Sequence, residues 1–67
     1  MTEQTAMRIV LDQRIAILPG VRTVGQDDEP IWIARKDGLK ASAVTVEGAV
    51  EKLMARLAIK RASEAQR

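Results

Sequence analysis

The dipeptide Asp37-Gly38, set between two apolar runs and followed by Thr45 and a helical stripe, constrains this chain more than any other feature. Glycine accepts positive φ without strain, and Asp-Gly between apolar segments is a strong short-range hairpin signal. Register follows from the turn. Ile31 and Ile33 share one face of the first strand and Trp32 and Ala34 the other. After the turn Leu39, Ala41 and Ala43 alternate against Lys40, Ser42 and Val44. Pro30 suits the start of an edge strand, where a missing amide costs least, and it closes the polar loop Gly25-Gln26-Asp27-Asp28-Glu29.

The hairpin runs into a capped amphipathic helix. Thr45 is the expected N-cap, its hydroxyl accepting from a free amide of the first turn, and Glu47 puts negative charge at the positive end of the helix dipole. Val46, Ala49, Val50, Leu53, Met54, Leu57 and Ala58 recur at helical spacing and form one apolar stripe. Beyond Ala58 the same rotation brings Lys60 and Glu64 to core positions, so the helix is expected to outrun the core. Gly48 in the first turn costs helix stability by up to about 1 kcal/mol relative to alanine unless it permits close backbone packing. Trp32, the only aromatic residue, is expected to anchor the hairpin against this helix, with a binding hot spot as the other reading.

Residues 6 to 18 admit two readings. Alternation places Ile9, Leu11, Ile15 and Ile17 on one strand face, whereas helical spacing aligns Met7, Leu11, Ile15 and Leu18. The β-branched residues favour strand, bent near Asp12-Gln13, and Pro19-Gly20 ends the element either way. A short extended piece, Val21 to Val24, is expected next. The organisation read from the sequence is a disordered segment over 1–5, one α+β domain over 6–62, and a frayed basic end over 63–67. The domain is a small antiparallel sheet of about three strands packed on one C-terminal amphipathic helix, in the order β-β-β-α.

Length limits what such a domain can bury. With 67 residues, no cysteine and no histidine, the chain has no disulfide, and a structural zinc site is effectively excluded. Chains this short are marginal without a staple, so oligomerisation or obligate binding is the expected source of extra stability. No cofactor is expected. No apolar stretch approaches membrane-spanning length and the first residues lack the pattern of a signal peptide, which makes the cytoplasm the expected location.

The residue types also speak against catalysis. Without His, Cys or Tyr, acid-base chemistry falls to carboxylates and lysines, and Ser42 and Ser63 have no evident base. Asp27-Asp28-Glu29 reads as a solvated acidic run, because a tight cation site needs ligands converging at set spacing. Gly20 and Gly25 have the spacing of a phosphate loop, but Gln26 and Asp27 stand where Lys and Ser or Thr belong.

Charge is uneven along the chain, net −2 over residues 1–30 and +4 over 31–67. Lys52, Arg56 and Lys60 stack at i, i+4 on one flank of the helix, with Glu47 and Glu51 on the other. The plain reading is a solvated surface. The sharper one is a basic strip, extended by Arg61 and Arg67 and flanked by the exposed apolar Ile59, that meets an acidic protein surface. Arg35, Lys36 and Lys40 would add to that partner-binding surface from the hairpin. Nucleic acid is the alternative partner, although a single tryptophan offers little stacking surface for single strands.

Trp32-Ile33-Ala34, Asp37-Gly38-Leu39 and the run Ala43 to Val50 resemble the strand, turn, strand and helix start of the HicB-like antitoxin family, over residues 31 to 57. Gly48 replaces the second acidic residue of the family's helix start, and its DNA-binding domain has no counterpart here. The resemblance implies a three-strand-plus-helix core that clasps another protein. The sequence therefore points to a small non-enzymatic protein-binding module, antitoxin-like or a phage-type inhibitor, with a nucleic-acid-binding regulator as the alternative.

Overall fold

The computed structural model describes residues 2–65. The elements run α1 (Glu3–Gln13), β1 (Ala16–Val24), β2 (Asp27–Lys36), β3 (Leu39–Ala43) and α2 (Val46–Ala65). The three strands form one antiparallel sheet in the order β1-β2-β3. α2 packs across β2 and β3, and α1 packs on α2. The α+β class, the three-stranded sheet and the C-terminal helix are as the sequence indicates; the N-terminal helix is an addition to it.

That helix corrects the strand reading for residues 6 to 13, and it begins at Glu3, inside the segment 1–5 expected to be disordered, of which Met1 lies outside the described residues. The Thr2 side chain caps it by accepting from the Thr5 amide at 3.1 Å. Arg14 then stops it in the left-handed region, φ 55°, and the Ile15 amide donates to the Val10 carbonyl at 3.0 Å in a Schellman-type closure. Buried Ala6 and half-buried Ile9 and Val10 lie at i, i+3 and i+4. Residues 6 to 18 are thus helix before Arg14 and strand after Ile15, but Met7 and Leu11, which helical spacing aligned, are exposed and do not form the buried face.

Two further boundaries move. Pro19 and Gly20 lie inside β1, and Asp27 to Pro30 lie inside β2, because Gly25-Gln26 makes a two-residue hairpin turn with Val24 facing Asp27. Gly25 has φ 63° and Gln26 has no positive φ, the pattern of a type II′ turn. Asp37 and Gly38, at φ 54° and 79°, make the expected second turn in type I′ form.

The turns fix which backbone groups point outward. A two-residue hairpin closes on a hydrogen-bonded pair and such pairs then alternate, so Val24–Asp27, Arg22–Glu29, Gly20–Ile31 and Leu18–Ile33 are hydrogen-bonded positions. Pro19–Trp32 and Val21–Pro30 are therefore positions where no bond between β1 and β2 is required. Pro30 faces the side where β3 would continue, but β3 ends at Ala43, opposite Trp32. The same count leaves the backbone groups of Lys40 and Ser42 on the free edge of β3.

The core is built from small residues. Ala6, Ile15, Ala34, Ala41, Ala49, Val50, Leu53 and Leu57 are buried, and the paired alanines 34 and 41 let α2 approach the sheet. Ala58, assigned to the stripe by spacing, is exposed, and no residue of α2 after Leu57 is buried. α2 continues helical through Ser63 to Ala65, whereas Gln66 and Arg67 of the expected frayed end lie outside the described residues. Trp32 is 38% exposed and lies outside the core cluster, which corrects its assignment as the packing anchor. It shares the helix-facing side with Ala34 but sits between Pro19 and Ala43, at the last pair that β2 makes with β3.

Candidate functional site: the open face of the sheet

Both helices lie on one side of the sheet, so the other side is uncovered. The register places Leu18, Gly20, Ile31 and Ile33 together on that open face. Gly20 leaves room there for Ile33, whose Cδ1 would lie 2.9 Å from a Cβ at this position and would have to turn aside. Arg22, Arg35 and Lys40 share the same side by register. The result is an apolar floor with basic residues around it.

Lys52 and Arg56 reach this face from α2, around the edge of β3. Lys52 Nζ donates to the Ser42 carbonyl at 3.3 Å, the Arg56 guanidinium donates to the Lys40 carbonyl, and Lys60 Nζ donates to the Asp37 carbonyl at 3.0 Å. The match is geometric: positions i and i+4 on a helix lie about 6 Å apart, and i and i+2 on a strand about 6.8 Å. The basic strip read from the sequence is thus tied to the fold as well as exposed. With Arg22, Ile31, Ile33, Lys40 and Ala41, Lys52 and Arg56 line an open groove of about 370 Å³.

The face is strongly unbalanced in charge. Arg22 is paired with Glu29 at 2.6 Å, the only ion pair among the described residues. Asp27, at the hairpin end, is the other carboxylate on this side by register. Arg35 and Lys40 stand directly opposite one another across β2 and β3, an arrangement of like charges that disfavours the bare sheet.

The remaining sequence-derived positions separate. Lys36 Nζ donates to the Gln13 carbonyl and so caps the C-terminus of α1 on the far side of the sheet from Arg35. Ile59, 71% exposed, and Arg61 lie past the last buried residue of α2 and do not line the groove. Arg67 lies outside the described residues. The acidic run does not converge either: successive strand residues point to opposite faces, Glu29 meets Arg22, and Asp28 accepts from the Thr23 hydroxyl at 3.0 Å.

Sequence reasoning placed Ile31 and Ile33 on one face but missed Leu18, Gly20 and Arg22 of β1 as their neighbours there. The signal was Gly25-Gln26, a Gly-X turn that sets the whole β1–β2 register. The chain matches no protein-family model, no curated protein and no solved structure.

Proposed function

We propose that the chain is a small protein-binding module whose open sheet face takes an acidic partner. The observation that carries this reading is the Arg35–Lys40 pair, like charges opposite each other in the register beside an apolar floor, neither of them in an ion pair among the described residues. A partner carboxylate there relieves the repulsion, and apolar contact with Leu18, Ile31 and Ile33 supplies the interior of an interface whose rim is polar. The antitoxin-like or inhibitor role belongs to this reading: a chain of this size acts by occupying a larger protein's surface. Nucleic acid remains the second reading, favoured by the cations Arg22, Arg35, Lys40, Lys52 and Arg56 on one side.

Charge reversal at Arg35 and Lys40 tests the proposal, because neither side chain makes a hydrogen bond or ion pair among the described residues. The variant is expected to keep the wild-type melt and to lose at least about tenfold in affinity for acidic protein captured from the native host. Equal capture by both proteins would refute the assignment. Binding of duplex DNA or RNA with a steep inverse dependence on salt, surviving at physiological ionic strength, would favour the second reading.

A further inference from the structure

We infer that β1 is the docking edge for a second copy of this chain, pairing antiparallel with itself about Val21 to make one continuous six-stranded sheet. The sheet has two edges, and they differ. On β3 the outward carbonyls of Lys40 and Ser42 are already engaged by Arg56 and Lys52, and charged side chains laid over an edge oppose strand addition. On β1 no such cover is recorded among the described residues. The alternation set by the Gly25-Gln26 turn points the backbone groups of Ile17, Pro19, Val21 and Thr23 outward.

The exposed side chains of β1 select the register. Leu18, Val21 and Val24 are 40%, 67% and 56% exposed, an apolar set on a strand that has solvent at its edge. Pairing about Val21 sets Val21 against its own copy and Leu18 against Val24, so each exposed apolar side chain meets another. Pairing about Gly20 would place Leu18 against Arg22, and pairing about Arg22 would place two guanidinium groups opposite each other. In the Val21 register two hydrogen bonds join the Val21 residues, and each Thr23 amide donates to a Pro19 carbonyl. The proline amides that are missing cost one bond on each side and leave the centre intact.

Charge separates this occupant from an unrelated partner. Arg22, the only ionisable residue of β1, is already paired with Glu29, so the edge carries little net charge and does not repel its copy. The basic open face, by contrast, would repel its copy. A second copy also adds apolar burial to a chain whose largest fully buried side chains are Leu53, Leu57 and Val50.

Sedimentation equilibrium and cysteine cross-linking test the inference. The wild type is expected to self-associate in the micromolar range, and Val21→Lys to weaken that association at least about tenfold by opposing two ammonium groups, with far-UV circular dichroism unchanged. The chain has no cysteine, so Val21→Cys is expected to oxidise to a disulfide-linked dimer faster than Ala62→Cys, placed on the exposed end of α2. A wild type that is monomeric throughout, or Val21→Cys cross-linking no faster than Ala62→Cys, overturns the inference. So does undiminished association of a folded Val21→Lys; if that variant does not fold, the cross-linking comparison decides. Val21→Lys leaves Arg35 and Lys40 in place, so loss of self-association and loss of acidic-partner binding are read separately.

Discussion

Gly48 is the residue where two local preferences collide. An alanine there gains up to about 1 kcal/mol of helix propensity. Its Cβ, however, meets Ala43 Cβ and Thr45 Oγ1 at 3.0 Å, the first on the adjoining strand and the second the atom that caps α2 by accepting from the Gly48 amide. Ala43 Cβ is fixed to the backbone, so relief must come from moving the helix start or breaking the cap. Gly48→Ala is therefore expected to lower stability by about 1 kcal/mol instead of raising it, and urea denaturation reads the sign. Trp32 gives a second test at this scale: at 38% exposed it should emit like a partly hydrated indole, and Trp32→Ala should cost less than the roughly 3–5 kcal/mol typical of buried aromatics. The sequence made the cap at Thr45 and the turn at Asp37-Gly38 legible because each depends on residues within a few positions. Trp32 was not legible, since its burial depends on where β3 ends, and that in turn depends on Pro30 having no amide to offer.

Among the elements, α1 and the two sheet edges show most clearly what a one-dimensional pattern leaves open. The strip Lys52, Arg56, Lys60 was visible as a charged flank, but its engagement with β3 required knowing that the helix lies along that edge. The cations and the shared face of Ile31 and Ile33 were therefore legible, whereas the β1 part of the floor, Leu18 and Gly20, depended on the unrecognised Gly25-Gln26 turn. Lys36 illustrates the same limit: the sequence groups it with Arg35 and Lys40 on a partner-binding surface, yet its ammonium group donates to the Gln13 carbonyl at the end of α1. Replacing Lys36 with Met should keep the aliphatic stem and remove the cap. The expected result is a loss of up to about 1 kcal/mol, concentrated in faster amide exchange at the C-terminal turn of α1. Uniform loss of protection across the sheet would instead show that α1 and the sheet unfold together.

At the scale of the molecule, the principal extents of 45 × 26 × 17 Å describe a long, thin body, with the β1–β2 hairpin running beyond β3 at one end. Among the described residues two surfaces are left uncovered, the basic open face and the β1 edge, and they lie side by side on the same sheet. No helix among the described residues is long and apolar enough to cross a membrane. The two-residue turns have a kinetic consequence. Every strand pairs with its neighbour in sequence, and β3 passes into α2 after two residues, so the sheet and α2 form from contacts of short sequence separation. The packing of α1 on α2 joins distant parts of the chain. Assembly of the sheet with α2 should then be fast and α1 should dock last, giving a high φ-value for substitutions at Gly38 and a low one at Ala6 in stopped-flow refolding.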